Sequence, residues 1–331
     1  MNKIIALTIC SNNFLAQAKT MLDSLEVQHP EIKKYIFLVD IKDATIDYSF
    51  LHPAELVVVN EEIVHDFNSL VKQLSVIELN SAIRPFVFQY LIDKNIDAQR
   101  FYYIDPDVYI YSRLDLLDKL LESEDLIITP HFLSPISIDG NTPSENLALN
   151  YGTFNLGFLA LNPKSDSIKQ FLFWWGERTK RFGYIDVTNG YFVDQIWFNL
   201  VPVYFSKVYV LKHPGFNMAC WNLHEREIAQ YTEDGKVFLK SGDELVFYHF
   251  SLWTFFKPDQ LCKNFTRFDF NNRKDLELLY YNYYQKLKKN NIEYFSKINC
   301  KLSFKNNTKQ SFLKRLMTPS AQLMKKFWQK L

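Results

Sequence analysis

Residues 101–111 read Phe-Tyr-Tyr-Ile-Asp-Pro-Asp-Val-Tyr-Ile-Tyr. An apolar, β-rich run delivers two carboxylates, Asp105 and Asp107, and a second β-rich run follows at once. Side chains at i and i+2 share one face of a regular strand, but a turn can bring them together differently. Pro106 locks the backbone between the two acids. Two close carboxylates repel unless a cation or a proton lies between them. Two readings stand at this point. One is a site for a hard divalent cation with oxygen ligands, which usually also holds phosphates. The other is a solvated polar turn between two strands.

The segments around this run alternate. Ile4–Ile9, Tyr35–Val39, Leu56–Val59 and Phe101–Ile104 read as short buried strands. Phe14–Val27 and the stretch from Glu61 to Asn95 carry helical spacing, with Arg84-Pro85 as a junction. Such alternation predicts an α/β fold on a mostly parallel sheet. Ligands of open α/β sheets bind beyond the carboxyl ends of strands. Asp40, Asp105 and the Thr8–Ser11 segment all fall at such ends. Further on, Leu114–Leu121 reads as a helix, Leu126–Thr129 as a strand, and 130–144 as a polar loop. Ile168–Arg181 and Tyr191–Leu200 read as helices, and Val246–Phe250 as a strand.

Composition narrows the function. Net charge is +1, which gives no case for nucleic-acid binding by the whole protein. The four cysteines, Cys10, Cys220, Cys262 and Cys300, form no CxxC pair and suggest neither a zinc ribbon nor a disulfide framework. No apolar run reaches the length of a membrane span, and no signal-peptide pattern precedes the first strand. A cytoplasmic protein is expected. Residues 301–331 carry eight bases and no acid, with bulky apolar residues interleaved. A basic amphipathic segment of this kind can lie on the anionic inner face of a membrane. A packed terminal helix with a solvated basic face is the alternative.

Three later segments join the acid pair: Phe154-Asn155-Leu156-Gly157-Phe158-Leu159-Ala160-Leu161-Asn162, Asp194-Gln195-Ile196-Trp197-Phe198-Asn199 and Phe247-Tyr248-His249-Phe250-Ser251. In this order, after a strand–Ser-Asn-Asn–helix unit, they resemble the nucleotide-sugar glycosyltransferases of the GT-A fold. Family eight, which includes bacterial lipopolysaccharide enzymes, is the nearest match. The resemblance covers roughly residues 4–255. It implies a GT-A catalytic domain over 1–270, with a nucleotide-binding half at 1–110 and a sugar and acceptor half at 111–270. A C-terminal helical extension would occupy 271–331, its basic amphipathic tail included.

The same resemblance implies roles. Asp105, Asp107 and His249 would hold Mn²⁺ (or Mg²⁺) against the donor diphosphate. Thr8, Cys10, Ser11, Arg84 and Asn155 would contact the donor, and Asp194 with Gln195 would sit beside the anomeric carbon. The donor would be a nucleotide sugar, with UDP-sugar expected, and the acceptor a bacterial surface glycan, free or lipid-linked. Ile196 stands where the family usually has a further acid, and Lys257-Pro258 only echoes its Lys-Pro-Trp. Retention of anomeric configuration is the expectation. An inverting enzyme would need a general base, with Asp194 and Glu225 as candidates. Two other functions compete. A nucleotidyltransferase acting on sugar phosphates usually has a Gly-rich, basic loop after its first strand, and Cys10-Ser11-Asn12-Asn13-Phe14 has neither. An inactive nucleotide-sugar-binding partner would not need the intact acids and histidine.

Overall fold

A computed structural model of the chain describes residues 4–95 and 97–302. Its first strand, β1 (Ile4–Cys10), is almost wholly buried. Ile5, Leu7 and Ile9 enter one hydrophobic cluster and Ala6 and Cys10 the other, the two-residue period of a strand covered on both faces. Helix α1 (Leu15–Gln28) follows, with Leu15, Ala18, Leu22 and Leu25 buried at helical spacing. β2 (Lys33–Leu38) and β3 (Glu55–Val58) extend the sheet. Three short helices come next: α2 (Phe67–Gln73), α3 (Val76–Ala82) and α4 (Arg84–Lys94). A capping box between Ser75 and Glu78 starts α3. Pro85 lies in the first turn of α4, where its missing N–H costs no helical hydrogen bond. The junction read at Arg84-Pro85 is thus a change from one helix to the next.

β4 (Arg100–Ile104) ends in the acid turn, and β5 (Val108–Ile110) leaves it. After α5 (Asp115–Leu120) come β6 (Leu126–Pro130), α6 (Asn146–Tyr151), β7 (Phe154–Leu161) and α7 (Asp166–Phe182). The central sheet has seven strands in the order Val208–Val210, β6, β7, β4, β1, β2, β3. β7 runs antiparallel to both neighbours, and the other pairs are parallel. The α/β architecture with a mostly parallel sheet is therefore as expected. On one face, α4 and α7 meet at Phe88 and Trp175, whose rings lie 6.3 Å apart. On the other face, α1 and the helix Glu277–Lys289 share one cluster through Leu22, Leu25, Tyr280 and Tyr283.

The expected helix over Tyr191–Leu200 is not there. Tyr191–Phe192 is a two-residue strand, and Gln195–Leu200 is a 3₁₀ segment. Val193, between them, has φ of 42°. A β-branched residue in that region is strained, and it breaks any continuous helix. α6 follows the loop expected over 130–144, in a stretch for which no element was expected. No helix among the described residues is long and apolar enough to cross a membrane. The basic amphipathic tail lies outside the described residues from 303 onward.

Candidate active site

The turn between β4 and β5 is held from three sides. The Asp105 N–H donates to the Gly157 carbonyl of β7 at 2.7 Å, and the Val108 N–H donates to the Asp105 carbonyl at 3.1 Å. The Asp107 carbonyl accepts from Phe250 N–H at 2.9 Å. β5 pairs antiparallel with the strand Phe247–His249, with Val108 opposite His249. That register brings an imidazole nearly 150 residues away in sequence to the two carboxylates.

Asp105, Asp107 and His249 each offer a ligand atom, and the three atoms lie within 4.8 Å of one another. His249 Nε2 is 3.0 Å from Asp107 Oδ1 and 3.8 Å from Asp105 Oδ2. The other ring nitrogen faces Asn155 Oδ1 at 3.3 Å. That oxygen also accepts from the Gly157 N–H at 3.1 Å, so it is the carbonyl end of the amide. It can only accept, hence His249 Nδ1 carries a proton and Nε2 is left for the acids or a cation. Metal-binding histidines are characteristically oriented in this way. Two carboxylates and an imidazole suit a cation borderline between hard and soft, Mn²⁺ among them. The residues present therefore fit the group that the fold implies.

Electrostatics agree with mutual dependence. Burial alone would raise the Asp107 carboxyl, but the adjacent His249 outweighs it and the net shift is down. Burial would lower His249, and Asp107 and Asp105 raise it instead. The imidazole and the Asp107 carboxylate thus each favour the other's charged form.

Asn155 is fixed in turn. Its Nδ2 lies 3.4 Å from His131 Nε2, and His131 Nδ1 lies 3.4 Å from the Thr153 carbonyl. Burial pushes the His131 pKa down to about 4, so the ring is neutral and accepts from Asn155. Trp221 meets His249 edge to face at 5.3 Å. Gly157 completes the packing: a Cβ there would lie 2.2 Å from His249 Cε1.

Arg84 ties the acid turn to a second carboxylate. Its Nη1 donates to both oxygens of Asp194, at 2.9 and 3.2 Å, and its Nη2 donates to Asp105 at 3.1 Å. The guanidinium stacks 4.5 Å from the Tyr103 ring centre, and the Tyr103 hydroxyl donates to Asp105 at 2.5 Å. Asp194 is fully buried. Burial raises its pKa to about 6 even though Arg84 pulls it down. The strained backbone at Val193 comes just before this inward-turned acid.

Arg84, Asp105, Asn155, Asp194, Gln195 and His249 all line one cavity of about 760 Å³. The amide of Gln195 is committed to backbone, accepting from Leu156 N–H at 3.1 Å and donating to the Tyr151 carbonyl at 2.8 Å. Thr8, Cys10 and Ser11 are buried at the end of β1 and are not among the residues lining the cavity. Burial pushes the Cys10 thiol up to about 12. Asp40 is buried rather than solvated, and it accepts from the N–H groups of Asn12, Ile41 and Lys301. Glu225 is bound away from the cavity, its carboxylate accepting from Leu133 N–H and Ser134 Oγ.

Sequence reasoning missed Tyr103, His131 and the packing role of Gly157. Tyr103 was findable, because it stands two residues before Asp105 on the same face of a strand. Nothing local marks His131.

No protein-family model matches this chain. Two proteins of Bacillus subtilis (strain 168), the uncharacterized YfnF and YfnD, are each 26% identical to it over 176 residues. The matches take in 51% of this chain and 54% of YfnF, and 52% of this chain and 52% of YfnD. The chain thus spans about half the length of the curated relatives it matches. Among solved structures, the galactosyltransferase LgtC in complex with donor and acceptor sugar analogs is similar over 86% of this chain and 95% of that one. Identity is 17% and the TM-score 0.50, so the likeness is one of fold. The chain has the GT-A fold of glycosyltransferases.

Proposed function

We propose that the chain is a glycosyltransferase of the family-eight type, moving a sugar from a nucleotide-sugar donor, UDP-linked by preference, to a bacterial surface glycan. One observation carries this reading. Asp105 and His249 line the same cavity as the Arg84–Asp194 pair, and Asp107 offers a ligand atom within 4.8 Å of theirs. Asp105, Asp107 and His249 would hold a divalent cation, Mn²⁺ or Mg²⁺. When bound, that cation stabilises negative charge on a departing diphosphate. Arg84 adds a fixed positive charge beside it. Asn155 orients His249 and also faces the cavity, where its amide is a candidate contact for the donor sugar. Asp194 supports positive charge at the anomeric carbon as the bond to the diphosphate breaks. Gln195 shapes the wall around that point through its backbone contacts.

Retention is the outcome this reading expects. Glu225, one candidate for the base of an inverting reaction, has its carboxylate occupied by Leu133 and Ser134. The basic run at 301–331 would carry the enzyme to the anionic inner face of the membrane, where a lipid-linked acceptor is displayed. Flotation with anionic liposomes tests that part separately.

A panel of nucleotide sugars with Mn²⁺, scored for slow hydrolysis to free nucleotide, tests the activity without an acceptor. Cation-dependent hydrolysis of one donor, lost in Asp107→Asn, supports the assignment. No hydrolysis of any donor by a protein that binds Mn²⁺ would oppose it.

A further inference from the structure

A second cleft is about 340 Å³ in volume. Its floor is one face of the helix Glu277–Lys289. Glu277, Tyr280, Tyr281 and Tyr284 line it at i, i+3, i+4 and i+7, so they form one stripe. Leu279, Tyr283 and Leu287 of that helix are buried in the core, and Tyr280 is buried with them, so Tyr281 is the ring of the stripe most open to solvent. Trp253 and Asp259, from the loop after the strand Phe247–His249, close the other side. The volume falls in the range of small-ligand sites.

The stripe is unusual for a surface. Tyr281 is 60% exposed, an aromatic ring that no core contact requires. Asp259 and Glu277 engage no base and no hydrogen-bond donor among the described residues. Flat apolar rings flanked by unengaged carboxylates match a pyranose, whose C–H faces stack and whose hydroxyls donate. A caged organic cation is the other ligand such residues can take. The ring geometry is against it. Trp253 meets Tyr280 and Tyr284 edge to face, with centroids 5.9 and 6.0 Å apart, so these rings pack on one another and leave no slot between them.

The two cavities meet along the chain. Ser251 and Leu252 line the first, and Trp253 lines the second. Leu252 has φ of 63°, a strained value for a bulky residue, and this kink turns consecutive side chains to different cavities. The Lys263 N–H donates to the Leu252 carbonyl at 3.1 Å and fixes the kink. Residues 251–253 thus link the walls of the two cavities along the chain.

We propose that this cleft is a second sugar-binding subsite, holding a unit of the acceptor glycan beyond the one being extended. The inference rests on the glycan-acceptor reading above. It makes the protein a reader of chain length, because only an oligosaccharide spans both cavities.

The test uses the full-length chain and three ladders of free oligosaccharides, of glucose, galactose and N-acetylglucosamine, from one to six units. Binding is read by saturation-transfer NMR and by tryptophan fluorescence. At least one ladder should bind with affinity that rises with length. Tyr281→Ala should weaken its longest members about tenfold. The double variant Asp259→Asn, Glu277→Gln should do likewise, and circular dichroism should show both folded. Mn²⁺ binding and donor hydrolysis should not change in either. The proposal falls if no ladder binds, if binding does not depend on length, or if both variants bind as the wild type does. It also falls if tetramethylammonium occupies the cleft and the sugars do not. Donor hydrolysis is scored on the same samples. Length-dependent binding without hydrolysis would leave the subsite standing and remove the transferase reading; the reverse result would do the opposite.

Discussion

The Tyr103 hydroxyl donates to Asp105 Oδ1 at 2.5 Å, from two residues upstream on the same strand. One side chain therefore braces the acid while its ring carries the Arg84 guanidinium. Tyr103→Phe keeps the ring and removes only the donor. Partners of this kind typically contribute tenfold or more to metal affinity. Mn²⁺ affinity should fall about tenfold while the fold is unchanged. Calorimetry on metal-free protein measures it, and equal affinities would show that the hydroxyl has no part in holding the site.

Gly157→Ala should damage the site from behind. The new Cβ would lie 2.2 Å from His249 Cε1 and 2.9 Å from Asn155 Oδ1. Neither neighbour can yield without breaking the contact that orients the imidazole. Overpacking of this kind costs about 1–3 kcal/mol. Urea denaturation should show that loss, together with weaker Mn²⁺ binding. A variant as stable as the wild type with unchanged affinity would mean that His249 moves freely.

Asp194 makes stability depend on pH in an unusual direction. Its pKa in the folded protein is about 6, against an ordinary 3.8. The folded state thus takes up a proton more readily than the unfolded one. Its stabilising effect is full below about pH 4 and is lost as pH rises through about 6. The difference amounts to about 3 kcal/mol. Asn cannot titrate, so the gap between wild type and Asp194→Asn should shift by that order between pH 4 and pH 7. Urea midpoints in a chelating buffer give the measurement. Parallel pH curves would place the Asp194 pKa near its ordinary value.

The same variant separates chemistry from binding. Asp194→Asn should lose most of kcat for donor hydrolysis and keep its nucleotide affinity, as expected for an interaction made in the transition state. Arg84 would still hold Asp105. Near-normal kcat would move the catalytic role to another residue.

Much of the frame was legible in the chain, for physical reasons. β1, β2, β3 and β4 are short apolar runs between polar breaks, and their ends fell within one or two residues of expectation. The acid pair announced itself because strand, proline and carboxylates are contiguous. His249 was found through its resemblance to a family motif; its arrival at Asp107 depends on the pairing of β5 with Phe247–His249, which no local pattern encodes. The helix expected over Tyr191–Leu200 failed because Asp194 is buried against Arg84, and reaching it strains Val193. Periodicity counts apolar positions and cannot register that ion pair. Asp40 was legible only as a strand-end acid, and the fold shows three backbone N–H groups converging on it.

The central claim is that Asp105, Asp107 and His249 together hold a divalent cation against a nucleoside diphosphate. Calorimetry with UDP, GDP and CDP, each with and without Mn²⁺, tests it most directly when wild type is compared with Asp107→Asn. One nucleotide should bind the wild type tightly only when Mn²⁺ is present, and the variant should lose that dependence while remaining folded. Binding that is indifferent to Mn²⁺ in the wild type, or unchanged in Asp107→Asn, would contradict the claim.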